Sequence, residues 1–244
     1  MSGMRSAALR KPVPQKPRPG FPKPKPKPTD KDKKKLPPRP LRLERTLPFE
    51  DHISTVFDHN LDIFNRRIFL DCTNVNGEDW ESGVDARMYD FFIKAISLLE
   101  NESRRKPIKI IISSFGGLYD YGMGIYDRIN LSPCPIVLHG YGPIMSMGSI
   151  FFQAKGKRLL SRNAVLMLHY TAGSHDKHDK LGKTGIKEHD RHDELMLGIY
   201  CERIRGAGKS VDKKLLDQQI KESLYLTADR AIEMGLADGY ITEP

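Results

Sequence analysis

From Leu47 onward, the hydrophobic residues follow two alternating spacings along the chain. Short runs rich in β-branched and aliphatic residues predict buried strands, because such residues pack well on a pleated surface. Stretches with apolar residues three and four positions apart predict helices with one buried face. The predicted strands are 67–71, 107–113, 135–139 and 165–169, and the predicted helices are about 82–100, about 118–130 and one beginning near Ser146. Strands alternating with helices are typical of βαβ units and an α/β fold.

The C-terminal third has a different pattern. A Gly- and His-rich stretch at 172–185 precedes a predicted helix over about 186–205. Two more helices are predicted to begin near Val211 and Thr227.

The first 45 residues differ from the rest in composition. They hold 15 of the 40 Lys and Arg residues, 3 of the 31 Asp and Glu residues and 11 of the 17 prolines. Their net charge of +12 therefore exceeds that of the whole chain, +9, and the remainder carries −3. Proline removes amide donors and like charges repel, so residues 1–46 are predicted as a disordered tail and 47–244 as the folded domain. The tail is interpreted as a solvated spacer, with contact to an anionic partner (nucleic acid, membrane or acidic protein) as the alternative.

Three classes of protein are disfavoured by the sequence. No run of about 18 apolar residues occurs, so a membrane-spanning helix is not expected. A secretory signal peptide is not visible, because Met1–Arg10 leads into Lys and Pro. Three widely spaced cysteines fit neither a disulfide scaffold nor a cysteine zinc site. The expected location is cytoplasmic, with the cytoplasm of an organelle or of a virus-infected host left open.

Three features at predicted strand ends could carry chemistry. Gly116 and Gly117 follow a strand and could point amides at a ligand, although such a pair is most often only a turn. Ser146 lies at a strand-to-helix turn, where it is either a nucleophile or an ordinary N-cap. His169 ends an apolar strand and is either a boundary residue or a base that activates a serine.

The histidines of the C-terminal third raise a separate question. His175 with His178 and His189 with His192 could bind zinc or nickel. The favoured interpretation is a solvated segment whose ionisable groups meet at an interface. An intermediate one is a pH response, because clustered histidines repel one another below about pH 6.5.

Together these features resemble the proteolytic subunit of the ATP-dependent Clp protease, ClpP. The resemblance covers about Leu47 to Thr242 and is carried by six short motifs in order. The motifs are Ser113-Ser114-Phe115-Gly116-Gly117, Gly124-Ile125-Tyr126-Asp127, Ser146-Met147-Gly148, Lys155-Gly156-Lys157-Arg158, Asn163-Ala164-Val165-Leu166-Met167-Leu168-His169, and Tyr225-Leu226-Thr227-Ala228 with Gly235-Leu236-Ala237-Asp238. In the family the fourth motif is a hairpin, and a proline stands where this chain has Phe115.

The resemblance implies a spiral of βαβ units, shared with crotonase-like enzymes, and a protruding strand-helix handle. It implies Ser146 as nucleophile, His169 as base, and an oxyanion hole formed by the amides of Gly117 and Met147.

Which residue would be the acid of the triad depends on the direction in which positions are counted along the sequence. Counting forward from Gly208-Lys209-Ser210 gives Asp217, and counting back from Tyr225 gives Gln219. Asp217 is preferred because a loop can absorb an insertion and Gln carries no charge, and Asp212 is a third choice.

The resemblance also implies a serine endopeptidase that needs no metal or organic cofactor. Its assembly would be two stacked heptameric rings, served by an AAA+ ATP-driven unfoldase and supplied with unfolded polypeptides. The alternatives are a structural subunit of a mixed ring, a virus-encoded maturation protease and, more remotely, a crotonase-like acyl-CoA enzyme.

Overall fold

The computed structural model describes residues 49–71, 83–170 and 180–242. The predicted tail, His175 and His178 lie outside the described residues. In chain order the helices are α1 (Phe49–His59), α2 (Ala86–Glu102), α3 (Tyr119–Leu131), α4 (Met147–Phe151), α5 (Lys180–Gly206), α6 (Lys213–Lys221) and α7 (Ala228–Met234). The strands are β1 (Leu61–Asp62), β2 (Arg67–Leu70), β3 (Ile108–Ser114), β4 (Ile136–Met145), β5 (Lys157–Leu160), β6 (Val165–Leu168), β7 (Leu224–Thr227) and β8 (Gly239–Tyr240).

These strands form one mostly parallel sheet in the order β1-β2-β3-β4-β5-β8. The long strand β4 changes partner along its length. Its first part, Val137–Gly140, pairs with β5, and its last part, Pro143–Met145, pairs with β6. Strand β7 closes this end by pairing antiparallel with β6. The prediction of an α/β fold of βαβ units is confirmed.

The core forms where the alternation of β3 meets the helical spacing of α2. Ile108, Ile110 and Ile112 are completely buried, because every second side chain of a strand points to the same face. From α2, Phe92 and Ile96 are also completely buried. One face of the sheet is thus covered by helices, and the carboxyl ends of the parallel strands are left at one edge.

The opposite face of the sheet carries a buried basic side chain. His139 is only 4% exposed, and within the described residues its Nδ1 has no hydrogen-bond partner. Burial, and then the charges of Lys109 and Arg67, lower the pKa of His139 to about 4. The imidazole is therefore neutral at pH 7.

Arg66 fastens the end of α2 to the sheet. Its guanidinium donates to the carbonyls of Leu99 (2.8 Å) and Pro107 (3.1 Å) and to Glu102 (2.6 Å). Arg66 is 5% exposed, so these bonds replace water that the charge would otherwise require.

Helix α5 is fixed to α4 and to the turn that follows α4. Tyr200 and Ser149 share a buried hydrogen bond of 2.7 Å between their hydroxyl oxygens, and Arg203 Nε donates to the carbonyl of Gln153. No helix in the described part of the chain is both long enough and apolar enough to cross a bilayer.

The helix predicted to begin near Ser146 is present as α4, which has five residues. The structure differs from the expected elements in two places. The expected hairpin at Lys155–Arg158 is wrong: Gly156 turns the chain tightly against Ile136, and β5 then runs parallel to β4. Helix α1 has no counterpart among the sequence predictions.

Candidate active site

Ser146 occupies a sharp turn between β4 and α4. Its φ of 52° is rare for a residue with a side chain and costs on the order of 1–3 kcal/mol. Within the described part of the chain, its side chain makes no capping hydrogen bond to α4, so the N-cap interpretation does not hold. A strained strand-to-helix turn of this kind presents a serine oxygen away from the backbone, as hydrolases with a nucleophile elbow do.

The two glycines after β3 lie directly against Ser146. A Cβ built on Gly116, which has φ of 100°, would lie 2.9 Å from Ser146 Oγ and closer still to Ser146 Cβ. Only a residue without a side chain allows this approach.

The amide of Gly117 is directed by its neighbours. Val84 donates to the carbonyl of Gly116 (2.7 Å) and accepts from the amide of Leu118 (2.7 Å). Because successive amides of an extended chain point to opposite sides, the N–H of Gly117 points away from Val84.

His169 follows β6 and comes to the same edge of the sheet as Ser146. The amide of Ser146 donates to the carbonyl of Met167 (2.9 Å), two residues before His169, and Met145 is aligned with Met167 in the β4–β6 pair. Burial lowers the pKa of His169, and the charge of Asp193 opposes this shift. The imidazole is therefore held mainly neutral at pH 7, the form that accepts a proton.

A buried layer supports the Ser146 turn. Ser149 Oγ donates to the carbonyl of Ser146 (2.7 Å) and shares its second hydrogen bond with Tyr200. The side chain of Met147 packs against Gly122 of α3, where even a Cβ would clash with it. These buried contacts hold the backbone of Ser146 and Met147 in place.

Asp217 lies near the end of β6 but is bonded to other groups. Its Oδ1 accepts from the Tyr170 hydroxyl (2.7 Å), and its Oδ2 accepts from Lys221 Nζ (2.7 Å). Both hydrogen bonds lower the pKa of Asp217, that from Lys221 most, so the carboxylate is charged. The structure thus brings Asp217 to the residue after His169 and not to the imidazole.

The two other candidates for the acid have different surroundings. Asp212 caps α6 by accepting from the amides of Lys214 (2.9 Å) and Leu215 (3.2 Å). Gln219 is exposed and lines a cavity between α6 and β7. Neither of the two has a contact with His169 among those that the structure shows.

Helix α5 contacts the start of α3, close to the glycine turn. The His192 ring is stacked on Tyr119, with 3.6 Å between ring centroids, and Tyr119 follows Gly117 by two residues. Asp193 comes next on α5, and its negative charge acts on both His169 and Tyr170. The spacing of the sequence motifs does not reveal Asp193, because the position of Asp193 relative to His169 depends on how α5 packs on the rest of the domain. The only sequence signal was the charged run His189-Asp190-Arg191-His192-Asp193.

The histidines of α5 make local contacts. The rings of His189 and His192 have centroids 6.2 Å apart, and His192 Nε2 lies 3.0 Å from Glu188 Oε1. Within the described ranges, no group of three or more His, Cys, Asp or Glu residues could hold a metal ion. The proposed metal pair His175 and His178 falls on residues that the structure does not describe.

The fold and the site define a class of protein. An α/β protein with a strained serine after a strand, a glycine turn against it and a neutral histidine nearby has the parts of a hydrolase that attacks with a side chain. The family model of the Clp protease matches residues 79–244. The chain belongs to the Clp protease family and is therefore a ClpP-type peptidase.

Proposed function

We propose that the chain is a serine endopeptidase that cleaves unfolded polypeptides, with Ser146 as nucleophile and His169 as general base. The observation that carries the proposal is the contact between the Gly116 turn and the strained Ser146, beside a histidine whose pKa is held below its ordinary value. A neutral imidazole can take the serine proton, and the glycine turn leaves room for a peptide carbonyl.

The reaction would proceed in two halves. Ser146 Oγ attacks the scissile carbonyl carbon while its proton passes to His169. The C–N bond then breaks, and the imidazolium gives that proton to the leaving amine. A water molecule repeats the sequence on the acyl-enzyme and releases Ser146. The amides of Gly117 and Met147 would stabilise the negative oxygen of each tetrahedral intermediate, a contribution of about 3–4 kcal/mol per donor in comparable sites.

The family resemblance assigns the acid of the triad to Asp217. Its bond to Tyr170 supports a role at the end of β6, because it restrains the residue that follows His169. Asp217 therefore enters the proposal as a positioning residue for the His169 segment.

A ring assembly is the second part of the proposal. By family resemblance it would be two stacked heptamers, with α5 in the handle and an AAA+ unfoldase delivering substrates. Two exposed apolar side chains one turn apart on α1, Ile53 and Phe57, support burial of that helix face in a larger assembly, since residues i and i+4 lie on the same face. The basic tail and the cytoplasmic location stay predictions.

One observation favours a second candidate, a structural subunit of a mixed ring. The acid of the resemblance is bonded to Tyr170 and Lys221 instead of His169. A subunit without an oriented base would keep the fold and lose most of the activity.

Hydrolysis of a fluorescent unfolded protein separates the two candidates. The wild-type chain is compared with Ser146→Ala, with His169→Ala and with Ser210→Ala, a control at an exposed serine. We expect activity in wild type and Ser210→Ala, and a loss on the order of 10³-fold or more in the other two. An assembled wild-type protein as inactive as Ser146→Ala would establish the structural subunit instead.

A further inference from the structure

We propose that Asp193 of α5, and not Asp217, is the carboxylate that faces the His169 imidazole and positions it. The inference rests on the proposed function of Ser146 and His169. It makes the handle helix part of the active site.

The packing of α5 on α4 carries Asp193 to the site. Arg203 contacts Gln153, two residues after α4 ends, and Tyr200 contacts Ser149 within α4. The contacts therefore move toward Ser146, the residue before α4, as α5 is followed back toward its own start. Asp193 is seven residues before Tyr200, which is two helical turns, about 10.5 Å, along the same helix face.

A second contact fixes α5 at the same level. The His192 ring is stacked on Tyr119, and Tyr119 begins the helix that follows the glycine turn. With His192 held on the α3 side, its neighbour Asp193 is directed to another side of α5. The groups on which its charge acts, His169 and Tyr170, both lie at the end of β6.

Both carboxylate oxygens of Asp217 are hydrogen-bonded to groups other than His169. Its two oxygens accept hydrogen bonds of 2.7 Å from Tyr170 and from Lys221, and the Lys221 charge neutralises much of its field. Asp193, by contrast, is the charged group whose field raises the pKa of His169 against the effect of burial. Asp193 therefore stabilises the imidazolium that forms during the reaction, and Asp217 restrains Tyr170.

The test follows His169 and Ser146 separately in the full assembled chain. Proton NMR of the imidazoles gives the titration midpoint of His169, assigned with His169→Gln, and a fluorophosphonate gives the rate at which Ser146 is modified. The variants are Asp193→Asn, Asp193→Glu, Asp217→Asn and the control Asp190→Asn, an identical change at an exposed position of the same helix.

In Asp193→Asn, we expect the midpoint of His169 to move to lower pH and labelling at pH 7 to fall on the order of 10²-fold or more, toward the about 10⁴-fold loss known for a triad acid changed to its amide. Asp193→Glu should recover part of the rate. Asp217→Asn and Asp190→Asn should leave the midpoint in place.

An unchanged midpoint in Asp193→Asn would overturn the inference, as would a shift found only in Asp217→Asn. Failure of the proposed function is distinct, because the wild-type protein would then resist labelling. The titration midpoint of His169 in Asp193→Asn would still decide whether Asp193 faces His169.

Discussion

Replacing Gly116 with alanine tests the contact on which the site depends. The new Cβ would lie 2.9 Å from both Ser146 Oγ and the carbonyl oxygen of Met145, and nearer to Ser146 Cβ. These atoms belong to backbone or to a short side chain, so the turn or the serine must move. The φ of 100° adds on the order of 1–3 kcal/mol of strain and overpacking adds about as much, so we expect a loss of about 2–6 kcal/mol in the free energy of unfolding.

The assay pairs urea unfolding with the rate of fluorophosphonate labelling. Gly208→Ala is the matched control, because Gly208 also has positive φ (73°) but no atom of the described residues lies within 4 Å of a Cβ there. We expect the control to lose about 1–2 kcal/mol from strain alone and to label at the wild-type rate. A folded Gly116→Ala protein that labels as fast as wild type would refute the argument, because the glycine turn would then not border the nucleophile.

Three further changes have defined outcomes. The pKa of His139 is about 4 in the folded protein and near 6.5 in the unfolded chain, so its contribution to the free energy of unfolding is complete above pH 6.5 and should fall by up to about 3 kcal/mol as the pH drops toward 4. Urea unfolding of His139→Leu across this pH range should lack this loss. An equal dependence of the unfolding free energy on pH in both proteins would contradict the argument. Arg66→Ala should cost about 3 kcal/mol in urea unfolding, because several buried carbonyls lose a charged donor, and a loss under about 1 kcal/mol would mean that the end of α2 is held by other contacts. Tyr170→Phe should cost about 1–2 kcal/mol of stability by removing the donor to Asp217 and slow labelling by less than about tenfold, whereas a collapse of labelling would make that pair essential for catalysis.

The repeating pattern of the chain was sufficient to predict the centre of the fold. The alternation at Ile108, Ile110 and Ile112 requires a strand with one covered face, and the spacing of Phe92 and Ile96 requires a helix to cover it. Strands β7 and β8 and the start of α5 were not predicted, because short edge strands and polar helices carry little hydrophobic signal.

Local motifs predicted the positions of Ser146 and His169 because both lie directly at strand ends. Motif spacing does not lead to Asp193, which we propose as the carboxylate that faces His169. Asp217 and Gln219 were weighed by counting along α6, whereas the surroundings of His169 are decided by the packing of α5 through Tyr200 and His192. That packing depends on contacts fifty residues or more apart in the chain, such as Ser149 with Tyr200.

The most direct test of the account is to find which residue a fluorophosphonate modifies. The purified assembled protein is treated with the probe, weighed intact and then digested, with Ser146→Ala treated alongside. The account predicts one adduct per chain on the peptide that contains Ser146, and none in Ser146→Ala. An adduct that persists in Ser146→Ala, or an assembled wild-type protein that takes up no probe, would contradict it.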